Sequence, residues 1–298
     1  MNNNTPAKLI GHKTSPVWGG DRLSSAYKRF AGDKSIGEVW ETSTVSGCEA
    51  TAAVGCEMLP LSEYFRDIGV GGFPLVKLIS ATSPLSIQVH PDDETAARYG
   101  GVGKSELWYV LSADAGASII YGTADDKSYS DVSAAIRSGE IERCCRRVPV
   151  SAGDVFMIPP GLIHSLGGGI TVLEVQNRLG TTYRLKDISG TRELHIREGL
   201  DSVKILTPED AAALAASGSA LSSLPGRIIA AGVGFSLSHT VIDVRQTVPQ
   251  SYIFCAAGGG TATSPAASVQ FATGESLFVQ EDTVIVPNGA AELLFVGA

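Results

Sequence analysis

Residues 86–111 read Ser86-Ile-Gln88-Val-His90-Pro-Asp92-Asp-Glu-Thr-Ala-Ala-Arg98-Tyr-Gly100-Gly-Val-Gly-Lys104-Ser-Glu106-Leu-Trp108-Tyr-Val-Leu111. Two strand-like runs flank a polar insert. A strand sends residues i and i+2 to the same face, so Gln88 and His90 would aim an oxygen and a nitrogen at one point, and Lys104 and Glu106 repeat that spacing. Antiparallel pairing of the two runs around the insert would gather all four on one face, a set that is costly to bury without a cation. A divalent metal accounts for it, and a solvated polar sheet face is the alternative that this stretch alone leaves open.

A second stretch, Gly153-Asp-Val-Phe-Met-Ile-Pro159-Pro-Gly161-Leu-Ile-His164, reads as a strand, a Pro-Gly turn and a histidine on entry to the next strand. It is similar to the second cupin motif, with Gly168 where that motif has its trailing asparagine. In the first cupin motif, Gln88 takes the place of the first histidine, and Glu106 follows after the insert. The segments Gln88 to Asp93, Gly103 to Tyr109, Pro159 to His164 and Thr181-Thr-Tyr-Arg184 stand in that order along the chain. With them the sequence resembles, from end to end, the type I mannose-6-phosphate isomerases of the cupin class in their short bacterial form.

The resemblance implies an all-β-dominated fold: a cupin (jelly-roll) β-barrel with short helical inserts, followed by a smaller degenerate cupin-like β domain. It implies a metal-dependent aldose–ketose isomerase that interconverts mannose 6-phosphate and fructose 6-phosphate through an enediol. The metal would be one Zn²⁺ per chain, held by Gln88, His90, Glu106 and His164, and this N/O donor set also admits other divalent first-row ions. Arg184, Lys104 and Glu174 are the implied catalytic candidates. Ser86, Lys77 and Trp18 are the implied substrate contacts, with Ser86 and Lys77 holding the phosphate away from the chemistry. A non-catalytic cupin that binds or senses sugar phosphates is the competing class, and an iron-dependent cupin oxygenase is a third.

Several of these residues read two ways from sequence. Lys77 interrupts the apolar run Phe73–Ile79, which fits either a surface edge or an anion contact. Trp18 and Trp40 serve equally as core packing or pocket lining. In Ile170–Gln176, Glu174 and Gln176 share a face with Ile170 and Val172, and either face of that strand can be the inner one. The family has an acidic residue before Thr181-Thr-Tyr-Arg184 and a longer acidic stretch after it, whereas this chain has Gly180 and a shortened Leu185–Gly190. The insert's Gly100-Gly-Val-Gly-Lys104-Ser imitates a P-loop but fails it, because Arg98 stands at the first glycine position and a strand follows where a helix is required.

The chain has 298 residues, is 44% hydrophobic and carries 23 basic against 31 acidic residues, for a net charge of −8. With no basic cluster, nucleic acid is not an expected partner, and an anionic sugar needs a locally basic pocket. The five cysteines, Cys48, Cys56, Cys144, Cys145 and Cys255, lack zinc-knuckle spacing and read as reduced thiols. No run of eighteen apolar residues occurs and Met1–Lys13 is polar, so no membrane partner is expected and the expected compartment is the cytoplasm. The expected division is 1–206 as the metal-binding catalytic cupin domain, 207–224 as helix and linker, and 225–298 as a cupin-like β domain without metal. In that last unit His239 is read as packing or a pocket edge.

Overall fold

The computed structural model describes residues 5–210, 226–232 and 234–298. Four β-sheets lie in layers, and four apolar clusters fill the spaces between and beside them. The first sheet has six strands in the order Val155–Ile158, Glu106–Ala113, Ile170–Gln176, Leu75–Ala81, Glu38–Trp40, His12–Thr14. The second has five, in the order Cys145–Pro149, Ser118–Thr123, His164–Ser165, Ile87–Val89, Tyr183–Lys186. These two form the cupin barrel, and its apolar end holds Trp18, Ile79, Trp108, Val110, Tyr121 and Val172. The outer face of the five-stranded sheet is covered by the helices Tyr129–Ser138 and Ile196–Ser202, through Val132, Ile136 and Leu200 packed on Ile87, Val89 and Leu185.

The second unit pairs an eight-stranded sheet with a four-stranded one around Ile253, Leu277, Val279, Leu293 and Phe295. The eight-stranded sheet runs Arg227–Gly232, Phe235–Ile242, Ala291–Gly297, Ser251–Ala257, Ser276–Val279, Ala7–Ile10, Thr51–Val54, Glu57–Pro60. Residues expected in the first domain therefore complete a sheet of the second, with Ala7 opposite Phe278 and Lys8 opposite both Leu277 and Ala53. A cut at 206/207 passes through one hydrogen-bonded sheet. The reason lies in the faces: the outer residues of the six-stranded sheet, Val76, Leu78, Leu107 and Leu173, are apolar and cannot be left to solvent. They are buried against Leu9, Ala52, Phe254 and Leu294 of the eight-stranded sheet.

Gly11 makes the crossing between the two sheets possible, since a Cβ there would sit 2.6 Å from Val39 Cγ1 and 3.0 Å from the Trp40 carbonyl oxygen. Phe278 seals the junction with its ring 4.8 Å from that of Phe65, 5.1 Å from Phe73 and 6.2 Å from Tyr64.

Local signals set the short helices. Leu61–Asp67 is one, and Tyr129–Ser138 starts on a Ser128/Asp131 capping box and stops at Gly139 in the left-handed region (φ 74°). Thr207 and Asp210 are bonded reciprocally, the start of the helix expected after residue 206. The body of that helix, from residue 211, and the linker to 225 lie outside the described residues. All five cysteines are unpaired. Among the described residues no helix is long and apolar enough to cross a membrane.

Candidate metal centre and active site

The runs that carry Gln88 and His90 and that carry Glu106 are not hydrogen-bonded partners, contrary to the antiparallel pairing expected around the insert. Ile87–Val89 lies in the five-stranded sheet between His164–Ser165 and Tyr183–Lys186, while Glu106–Ala113 lies in the six-stranded sheet. The insert, with its helix Asp93–Arg98, carries the chain from one to the other. His90 and Glu106 therefore meet across the barrel interior instead of side by side.

In the five-stranded sheet, Tyr121, His164, Gln88 and Arg184 form one cross-strand row and so share a face. Opposite them, the inner face of the six-stranded sheet carries a second row, Trp40–Lys77–Glu174–Trp108–Phe156, and beside it Gln176 paired with Glu106. Thus Glu174 and Arg184 both belong to the barrel's inner faces, the choice that sequence left open.

His90, Glu106 and His164 are completely buried and can offer ligand atoms within 4.8 Å of one another. Nδ1 of His90 donates to the carbonyl oxygen of Thr181 (3.1 Å), and Nδ1 of His164 donates to that of Leu162 (2.9 Å). Each bond fixes the tautomer and leaves Nε2 as the free lone pair, the arrangement of a metal-ligating histidine. Nε2 of His90 lies 3.2 Å from Oε2 of Glu106, and Nε2 of His164 lies 3.4 Å from Oε1. His90 Nε2 and Glu106 Oε1 make no hydrogen bond within the protein, and Glu106 Oε2 has only the Lys104 ammonium beside it. Buried polar atoms left without partners are costly, and a cation in their midst satisfies all of them, so these residues fit a divalent metal.

Charge in the cluster agrees. Burial and the Lys104 ammonium push the His90 imidazolium down to about 3, and burial lowers His164 as well, so both rings are neutral. Burial works against the Glu106 charge, but the Lys104 ammonium holds its carboxyl well below the usual range. Lys104 Nζ stands 2.6 Å from Glu106 Oε2. Gln88 reaches the cluster with its amide nitrogen, 3.1 Å from His164 Nε2, and its Oε1 takes a 3.4 Å bond from Ser86 Oγ. A half-turn of that amide exchanges the two atoms and presents the oxygen a metal requires.

The other sequence candidates divide. Lys77 is buried with its ammonium 3.2 Å from Glu174 Oε1 and 4.7 Å from the Trp40 ring centroid. Burial alone would strip its charge, but the carboxylates of Glu174, Glu38 and Glu106 outweigh burial and raise its pKa. It stands in the inner row, not in a separate phosphate pocket away from the chemistry. Ser86 lies beside Gln88, while Trp18 is 4% exposed and packed in the apolar end of the barrel. Arg184 is half-buried. One terminal nitrogen donates to the Glu193 carbonyl oxygen (2.7 Å), its Nε has no partner, and its backbone N–H donates to Nδ1 of His195. His239 lies on the eight-stranded sheet, bonded to Glu292 and stacked 6.0 Å over Tyr109.

Sequence reasoning missed four contributors. The carbonyls of Thr181 and Leu162 orient the histidines, and backbone atoms leave no signature in residue type. Trp108 donates its indole N–H to Glu174 Oε2 (3.0 Å), and its place two residues after Glu106 is the signal that could have found it. Gly180 backs Lys104: a Cβ there would fall 2.7–2.9 Å from Cβ, Cγ and Cδ of the lysine. The shortened segment after Arg184 is closed by Asp187, which accepts from the backbone N–H groups of Thr191 and Arg192 and pairs with the Arg192 guanidinium.

The mannose-6-phosphate isomerase of Streptococcus mutans is 33% identical to this chain over 278 residues, 87% of either protein. The chain belongs to the mannose-6-phosphate isomerase family. A mannose-6-phosphate isomerase of Bacillus subtilis is 33% identical over 206 residues, 63% of this chain and 65% of its own. The crystal structure of the Bacillus subtilis mannose 6-phosphate isomerase superposes with a TM-score of 0.83 at 26% identity, covering 99% of this chain and all of that one. A putative mannosephosphate isomerase from Archaeoglobus fulgidus shares the fold, with a TM-score of 0.77 at 18% identity over 98% of both chains. No family model matches the sequence. Membership thus rests on the curated relative that spans most of the chain, and the site described above lies within the shared fold.

Proposed function

We propose that this chain interconverts mannose 6-phosphate and fructose 6-phosphate, moving a proton between C2 and C1 of the open-chain sugar through an enediol. The observation that carries the reading is the buried trio His90, Glu106 and His164, whose ligand atoms converge within 4.8 Å of one another, in a member of this isomerase family. Those three residues would hold the metal, with the Gln88 oxygen as fourth ligand, and we assign zinc, one per chain, to this N/O set. Bound there, the ion supplies a Lewis acid that stabilises negative charge on the sugar oxygens.

The protein's own groups do the rest. Glu174, on the inner face, takes the C2 proton and returns it to C1, a contribution on the order of 10²–10⁴ in rate. Lys104, held at Glu106, moves protons between the two sugar oxygens. The Arg184 guanidinium, whose Nε is unpartnered, offsets charge that develops on the enediolate. Ser86 contacts the phosphate, and Lys77 contributes its positive charge from the inner row, beside Glu174. Conversion of mannose 6-phosphate, measured through a coupled assay for fructose 6-phosphate before and after chelation and after zinc is restored, tests the reading. Activity indifferent to chelation would overturn the metal assignment, and no conversion by the metal-replete protein would overturn the reaction.

A further inference from the structure

We infer that Trp108 is a positioning residue that fixes the Glu174 carboxylate and the His164 ring relative to each other, an assignment that rests on the role proposed for Glu174. Trp108 is 2% exposed and Glu174 3%, so neither can turn to water for a partner. The indole N–H is a donor only, and among its surroundings it has found Glu174 Oε2 at 3.0 Å. The other oxygen, Oε1, faces the Lys77 ammonium at 3.2 Å. Lys77, Glu174 and Trp108 are directly opposed on three neighbouring strands, so the carboxylate is held from both sides along one cross-strand row. A carboxylate held by one donor can swivel about that bond. With a hydrogen bond on one oxygen and an ion pair on the other, from opposite strands, its plane is restricted.

The same indole meets the metal-centre side of the barrel. Its ring stands edge-to-face against the His164 imidazole, with centroids 5.6 Å apart and planes at 74°. The Leu162 carbonyl fixes one nitrogen of that imidazole, and the Trp108 ring limits its rotation about that bond. One side chain therefore joins a ligand from the five-stranded sheet to a carboxylate from the six-stranded sheet. Its two functions reside in different atoms: the N–H holds Glu174, and the ring braces His164. Substitution can separate them.

Trp108→Phe keeps an aromatic wedge and removes the N–H. We expect kcat to fall about 10–100-fold with KM and metal affinity little changed, because a loosened carboxylate misplaces the proton transfer and not the binding. In a Glu174→Gln background the same change should cost nothing further, and a full additional loss there would overturn action through Glu174. Trp108→Leu also removes the wedge, and metal affinity should fall about 10–100-fold, as for loss of other groups that support a metal ligand. In the cobalt-substituted protein the visible absorption bands should shift for Leu and stay for Phe, and bands that are identical in both variants would overturn the brace on His164. A readout independent of turnover comes from the indole N–H resonance assigned to Trp108 by its loss in Trp108→Phe. Glu174→Ala should move that resonance and speed its exchange with solvent, and an unmoved signal would overturn the bond. If the wild type converts no sugar phosphate, the proposed function falls, while the cobalt and indole readouts still decide the positioning.

Discussion

Nε2 of His90 and Oε2 of Glu106 lie 3.2 Å apart, although the first follows a strand of the five-stranded sheet and the second opens a strand of the six-stranded sheet. The contact closes only when both sheets are folded and the insert is in place. Metal binding and barrel closure are therefore linked. His90→Ala and His164→Ala should each lower metal affinity by more than about 100-fold, beyond what loss of a supporting group costs. His239→Asn, on the eight-stranded sheet beside Glu292, should leave metal content unchanged. Elemental analysis after dialysis checks all three, and full retention in both alanine variants would remove the proposed centre.

Gly180 gives a test of Lys104 without substituting the lysine itself. A methyl group at 180 would overlap the lysine stem at 2.7–2.9 Å, so Gly180→Ala must push Lys104 away from Glu106 or displace the loop that carries Thr181. A displacement of about 1 Å at a catalytic group costs on the order of 10²-fold, so kcat should drop by that order. Gly180→Ser should behave alike, because the steric conflict begins at Cβ. Undiminished kcat in both variants would show that Lys104 has room to move and that its placement at Glu106 is unimportant.

The cupin barrel was legible because its signals are local. The i, i+2 spacing of Gln88 and His90, the Pro-Gly turn before His164 and the capping residues around Tyr129–Ser138 each act within a few residues. The pairing of strands is non-local, and there proximity in the chain misled: the run at 87–89 lies in the sheet opposite the run at 106–113. Ala7–Ile10 is the extreme case, since one of its two partners is Ser276–Val279 and nothing within either segment names the other. Lys77 and Glu174 were each conspicuous as charges within apolar runs. That they neutralise each other depends on the register of Leu75–Ala81 against Ile170–Gln176, and burial alone could not supply it. Ligand orientation by the carbonyls of Thr181 and Leu162 was beyond any reading of residue types.

Asp92 ties the insert to the barrel and should make its stability depend on acid. Its Oδ1 accepts the Thr95 N–H at the start of the helix Asp93–Arg98, and its Oδ2 accepts from Lys204 Nζ at 3.0 Å. The Thr95 hydrogen bonds, and then Lys204, lower its pKa from 3.8 to about 2. A carboxylate lowered on folding contributes stability that is fully present above its unfolded value and is lost as pH falls through the folded one. The loss should therefore run from about pH 4 down to about pH 2. Asp92→Ala should lower stability at neutral pH by about 1 kcal/mol, the usual cost of removing an N-cap, and flatten that part of the acid limb. Denaturant titrations of both proteins from neutral to acid pH check the slope. Parallel curves would show that the Asp92 charge does not contribute.

Arg184 separates an isomerase from a protein that only binds sugar phosphates. It shares a cross-strand row with Gln88 and His164, and its Nε is buried without a partner, so part of the guanidinium is uncommitted in the free protein. If it acts on charge that exists only in the enediolate, it stabilises the transition state more than the bound substrate. Arg184→Ala should then lower kcat about 10²–10³-fold, the usual cost of losing a donor to a developing oxyanion, with a much smaller change in substrate affinity. Arg184→Lys keeps the charge but loses the planar fork and the bond to the Glu193 carbonyl, so it should not restore the rate. Both variants should retain their metal, because Arg184 is not among the residues assigned to hold it. Deuterium incorporation from solvent into the hexose phosphate, followed by NMR, reads the proton transfer directly. The metal-replete wild type should exchange the C2 hydrogen and the two variants should exchange it slowly. A wild type that binds mannose 6-phosphate without any exchange, and an alanine variant altered only in affinity, would instead mark a binding module built on an isomerase barrel.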